Sequence, residues 1–337
     1  MWQTSKYSSI TAVSYLLTAL ALWGILHFGL LASLFSGLLV FALVHLLAPL
    51  MARKLSSTRA RLLAVAALSI LTVGLLSLAI WGTLAFFNSD AGSIETLLQK
   101  MADILEDSRD QIPSWLAGYL PDNVHALREM ITAWLRQHAG EARLFGQEAG
   151  RTAAHVLLGM IIGAMVALHD TTEAHATQAL ALALRERALA LNDAFRQIVF
   201  AQVRIAAINA LLTAGYIFIV LPLNGVHLPL AKSIVAVTFF AGLLPVVGNI
   251  VSNTVLVVAG LSHSLQIAVA SLAFMVVIHK LEYFLNAKII GRQIQARPWE
   301  LLIAMLVMEA MFGLPGVVAA PVFYAYLKRE LTAAGLI

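Results

Sequence analysis

Apolar positions in this chain come in runs long enough to cross a membrane. The runs lie at 8–50 (two spans joined by a tight turn near His27-Phe28-Gly29), 62–87, 155–168, 205–221, 234–261, 265–284 and 301–327. A hydrocarbon core of about 30 Å takes roughly 20 apolar residues in helical form, so the pattern predicts about eight transmembrane helices. Elsewhere the pattern turns amphipathic. Ile94, Leu97, Leu98, Met101, Ile104 and Leu105 share one helical face, and Val124, Leu127, Met130, Ile131, Trp134 and Leu135 share another. Residues 170–204, rich in leucine, alanine and balanced charge, read as an amphipathic cytoplasmic helix. The expected organisation is spans one to three in 1–89, an extracytoplasmic amphipathic segment in 90–151 and a fourth span in 152–169. A cytoplasmic helix in 170–203 and spans five to eight in 204–337 complete it.

Two of the last runs carry proline and glycine where a simple span has neither. One reads Phe240-Ala241-Gly242-Leu243-Leu244-Pro245-Val246-Val247-Gly248-Asn249, the other Phe312-Gly313-Leu314-Pro315-Gly316-Val317. Proline removes a backbone donor and glycine loosens the helix. At membrane depth the freed groups need protein, ion or water, so lipid-exposed breaks do not persist. A pair of interrupted helices is therefore a pointer to a transport site. Each break fits either a kinked span or a re-entrant hairpin. The pattern Gly159-x-x-x-Gly163 allows close helix approach and reads as a packing face.

Composition agrees. Of 337 residues, 60% are hydrophobic and only 12% charged, about half the charge of a soluble domain. The net charge of +4 comes from bases beside the apolar runs; no basic tract with interleaved aromatics calls for nucleic acid. Arg53, Lys54, Arg59 and Arg61 form a loop without acids, which places that loop and both termini in the cytoplasm. From 90 to 151 there are ten acids against six bases, as suits the outer side. With eight spans, Lys288, Arg292 and Arg297 fall outside, against the positive-inside rule; a re-entrant hairpin would remove that conflict. There are no cysteines, hence no disulfides or thiolate metal sites.

The matching pieces Gln202, Leu223-Asn224-Gly225-Val226, Leu244-Pro245-Val246-Val247-Gly248, Leu281-Glu282-Tyr283-Phe284, Ile290-Gly291-Arg292, Pro298 and Phe312-Gly313-Leu314-Pro315-Gly316 to Pro321 occur in an order that resembles the AI-2E family of transporters, the autoinducer-2 exporter and permease group. The resemblance is close over 201–331 and looser before it. The chain departs from the family pattern at Ala201, Asn249, Ala287 and Arg297. The resemblance implies a multi-pass transporter or exporter of a bacterial inner membrane. It leaves the cargo open, since members range from a signalling furanone to sodium ions exchanged for protons.

Glu309 is the sharpest candidate residue. It lies inside an apolar run, where a carboxylate costs roughly 2.5–3.5 kcal/mol on insertion scales and marks a functional position by default. A structural ion pair or a subunit contact is the alternative. Glu282 could line the pathway or pair at the interface. Asn249 and Asn253 stand a turn apart beside the Pro245–Gly248 break; Asn209 and Ser252 are further polar groups at depth, and such groups also serve as helix-to-helix hydrogen bonds. The candidate pathway is thus Glu309, Pro245, Gly248, Asn249, Asn253, Glu282, Gly313, Pro315, Gly316 and Gln202. No phosphate loop, H-E-x-x-H or nucleophile elbow is present, so neither an enzyme, a cofactor nor a metal site is expected. The expected partners are a small-molecule or ion substrate, membrane lipid and further copies of the chain. An oligomeric scaffold and a passive channel are the rival readings.

Overall fold

The structure, a computed structural model, describes residues 2–51, 139–169, 178–228, 230–243, 247–261, 263–294 and 296–337, with isolated helical positions between 59 and 137. Arg53, Lys54 and Arg61, most of the third span at 62–87, most of the 90–138 segment, and Pro245 lie outside the described residues. Every regular element among the described residues is helical. Two compact units emerge: the first from Met1–Val73, Glu148–Ala201 and Ala287–Ile337, the second from Gly74–Gln147 and Gln202–Asn286.

In the first unit, α1 (Trp2–His27) and α2 (Leu31–Met51) meet at the expected turn. Gly29 takes φ +69°, and the Leu30 amide donates to the Ile25 carbonyl at 2.8 Å. That is a glycine C-cap, which closes a helix without the strain a side chain would meet. Helix α3 (Ala139–His169) begins ahead of the expected fourth span and runs through it without a break. Its Gly159 and Gly163 press on the backbone of α2 at Ser33 and Gly37, where any Cβ would overlap main-chain atoms. The close approach lets Ser33 Oγ donate to the His155 carbonyl at 2.6 Å and Ser36 Oγ to that of Val156 at 3.0 Å. The small-residue motif is therefore an internal packing face.

Helix α4 (Ala179–Gly215) passes from the first unit into the second between Ala201 and Gln202. It runs straight through 203–204, where the amphipathic helix and the fifth span were expected to meet. Its buried side, Leu191, Ala194, Phe195, Ile198, Ala201 and Ile205, recurs at helical spacing. A π-helical turn at Tyr216–Val220 and a short turn at Leu221–Leu223 follow.

The remaining helices are α5 (Ala231–Gly242), α6 (Val247–Leu261), α7 (Leu265–Ile294), α8 (Pro298–Phe312) and α9 (Leu314–Ala333). Both interrupted runs are helical hairpins, not kinked rods. In the first unit, Gly313 at φ +63° and ψ −146° ends α8 and starts α9. Glu300 near the start of α8 meets Tyr324 and Lys328 far along α9, so α9 folds back along α8. Pro315 lies in the first turn of α9, where a missing N–H is harmless. Glycine makes this break; the proline starts the next helix. In the second unit, Gly248 of α6 presses on the Ala241 carbonyl and Gly242 Cα of α5, so α6 likewise doubles back.

A candidate transport site in the second unit

The turn of the α5–α6 hairpin is held by α4. Ending α5 at Gly242 leaves carbonyls without an intrahelical partner. Gln202 Nε2 donates to the Gly242 carbonyl at 2.8 Å, and Ala206 lies 3.3 Å from where a Cβ on Gly242 would stand. Gln202 and the break, 40 residues apart in sequence, thus form one feature.

Beside this turn, Asn209 and Thr213 of α4, Thr238 and Gly242 of α5, Asn249 and Ser252 of α6, and Met275 and Ile278 of α7 enclose a cavity. Its room for water-sized occupants is about 10 Å³, close to what one water needs. Among the described residues the lining includes no charged side chain. Thr238 Oγ1 donates to the Ile234 carbonyl at 2.9 Å, and Ser252 Oγ to the Gly248 carbonyl at 2.8 Å. Thr213 is wholly buried, and its Oγ1 has no hydrogen-bond partner among the described residues. An unpaired buried hydroxyl is costly, so Thr213 is the lining group with hydrogen-bonding capacity left to offer a water or a ligand.

The core of the unit is apolar and shares Met275 with the cavity lining. Tyr216, Ile217, Leu221, Val226, Leu228, Ile234, Leu256 and Met275 form its core. Tyr216 stacks on Phe274 with centroids 4.2 Å apart, and its hydroxyl lies 3.2 Å from Ser271 Oγ. The π-helical turn starts at Tyr216, one turn after Thr213, and such bulges recur at functional sites.

Of the sequence candidates, Gln202, Gly248 and Asn249 gather at this turn. Asn253 is a turn further along α6; its Oδ1 is buried without a partner, outside the cavity lining. Glu282 falls in the helical stretch of α7, and its side chain lies outside the described residues. Gly313, Pro315, Gly316 and Glu309 belong to the first unit. There Gly316 is buried against the Met308 carbonyl, while Gly313 and Pro315 are exposed. Glu309 stands on the exposed face of α8 with Leu302 and Leu306, and among the described residues no basic side chain pairs with it.

Sequence reasoning missed Thr213 and Thr238. The available signal was the i, i+4 spacing of Asn209 and Thr213, which puts both on one face of α4. It also missed a buried ion pair in the first unit. Arg187 of α4 pairs with Glu330 of α9, lies 4.6 Å over the Tyr15 ring of α1, and donates to the Tyr15 hydroxyl at 2.8 Å.

The family model for AI-2E family transporters matches residues 10–334 of the chain. The chain belongs to the AI-2E family. It is accordingly a multi-pass membrane transporter, as the order of its motifs implied. No curated protein and no solved structure matches it. In this AI-2E transporter the family residues Gln202 and Gly248 lie at the same turn, which gives their joint presence a structural reason.

Proposed function

We propose that the chain is a gradient-driven secondary transporter or exporter of a bacterial inner membrane, moving a small polar solute or ion past the α5–α6 turn. The observation that carries this reading is the neutral polar cavity at that turn, set among apolar helices. Helix α5 has 12 residues and α6 has 15, so at ~1.5 Å per residue they rise about 18 and 22 Å, short of a ~30 Å core. The hairpin then enters and leaves by one face, with its turn and cavity at depth. Such an entry would also restore the positive-inside rule for Lys288, Arg292 and Arg297.

Glu309 supports a homo-oligomer. A carboxylate on an apolar exposed face is best placed against a second subunit or a water-filled interior. The expected orientation keeps both termini and the 53–61 loop in the cytoplasm. Flux in proteoliposomes, with and without a proton or sodium gradient, tests the function. Flux that follows the gradient supports secondary transport. Conductance indifferent to the gradient marks a passive channel, and no flux of any small solute or ion leaves the scaffold.

A further inference from the structure

We propose that the α1–α2 turn carries a phospholipid headgroup site built from Trp23, His27 and Phe28, in which the His27 imidazole donates to a lipid phosphate. The proposal uses only the membrane class of the chain and stands apart from the transport reading.

One face of α1 suits acyl chains. Val13, Leu16, Leu17, Leu20 and Trp23 recur at helical spacing and are exposed, while Ser14 and Leu26, off that face, are buried. From Val13 to Trp23 the helix rises about 15 Å, which is the acyl depth of one leaflet in a ~30 Å core. The chemistry changes at the end of the stripe. The Trp23 and His27 rings stack with centroids 4.8 Å apart and 9° between their planes, and Phe28 meets His27 edge-on at 5.1 Å. All three side chains are exposed. An indole over an imidazole is apolar in its body and carries N–H at its rim, which is the composition favoured between acyl chains and headgroups.

Two observations choose lipid over a second copy of the chain. The first is the imidazole itself. In either tautomer one ring nitrogen donates and the other accepts. A dry apolar contact with another subunit would leave both short of partners, whereas the headgroup layer supplies phosphate oxygens and water. The second is charge. Between Lys6 and Arg53 the sequence has no lysine, arginine, aspartate or glutamate, so the turn offers no fixed ion for a complementary protein surface to pair with. The contact to phosphate is then a hydrogen bond from one imidazole, with no preference for anionic over zwitterionic phospholipid.

The test uses the full-length protein in phosphatidylcholine liposomes, with two readouts. The first is the fluorescence of Trp23, taken as wild type minus Trp23→Phe, with bromine carried on the lipid chains either near the glycerol or near the chain ends. Stronger quenching by the bromines near the glycerol is expected. The second is solid-state NMR of protein with isotope-labelled histidine nitrogens. A ring signal dephased by lipid phosphorus is expected, and it should be lost in His27→Gln. The same dephasing is expected when phosphatidylglycerol replaces phosphatidylcholine. Both variants change exposed side chains and should fold, which thermal unfolding checks. Stronger quenching by chain-end bromines overturns the site. Quenching by neither lipid means that a second copy covers this face, and overturns it too. A phosphorus-dephased spectrum identical in wild type and His27→Gln removes the phosphate contact, and dephasing in phosphatidylglycerol alone replaces the hydrogen bond with an ion pair; either result overturns the site as drawn.

Discussion

The two hairpins solve one problem in opposite ways. Each turns back on itself with a glycine pressed on the preceding helix, Gly248 on Ala241 and Gly316 on Met308. The α8–α9 turn packs on apolar side chains: Leu26, Leu31 and Ala319 are buried there, with Phe35, Met308, Phe312 and Phe323 packed on them. Its ion pairs sit at the other end. Glu300 bonds Lys328 at 2.7 Å and also the Tyr324 hydroxyl, and Glu330 pairs with Arg187. The α5–α6 turn has the reverse arrangement, with neutral polar groups at the turn and a side-chain amide in place of ions. A turn packed in apolar side chains and tied by ions at its base is built to stay closed. The α5–α6 turn has no such ionic tie among the described residues and lies beside a polar cavity instead.

The largest expected effect breaks the ionic base of the first hairpin. Arg187→Met strands Glu330, whose side chain is only 7% exposed, and should cost about 3–5 kcal/mol. Thermal unfolding in detergent reads this out, and Arg187→Met with Glu330→Met should recover most of the loss. Recovery no better than the single variant would mean that the pair does not act as a unit.

Next come the two glycines. Gly248→Ala and Gly316→Ala each set a methyl against backbone, for which about 1–3 kcal/mol is expected. Gly215→Ala, with nothing within 4 Å of the new atom, should instead be neutral or stabilising by up to about 1 kcal/mol. Equal Tm values for all three would show that the hairpin arms are not in close contact.

A comparable effect separates the two turns. Gln202→Leu leaves the Gly242 carbonyl unpartnered, at a cost of about 1–3 kcal/mol, and should lower flux out of proportion to the fall in Tm. A matching loss of flux and stability would reduce Gln202 to a structural cap.

The smallest effect is one of pH. Hydrogen bonds from Lys328 and Tyr324 hold the Glu300 carboxyl, ahead of the apolar run of α8, at about 2 instead of 4.5. A depressed carboxyl stabilises the folded state above its ordinary value, and that contribution is lost as pH falls from about 4.5 towards 2. Glu300→Gln should flatten the acid limb of the stability curve over that window. An unchanged acid limb would show that the pair contributes nothing measurable, as partly solvated ion pairs often do.

The sequence by itself determined the all-helical class, the membrane class, the family, the Gly159–Gly163 contact face and the position of both breaks. Those features are local: periodicity, run length and glycine or proline placement act within a few turns. It also singled out Asn209, Asn249 and Ser252 as polar groups within apolar runs. Only the tertiary structure decided that Asn249 joins Asn209 and Thr213, that Gln202 caps Gly242, and that Glu309 stands on an exposed face. Arg187 and Glu330, 143 residues apart, looked like ordinary charges of an amphipathic helix and a chain end. Partnerships of this kind depend on which helix faces meet, and a pattern read along one helix carries no information about the face opposite it.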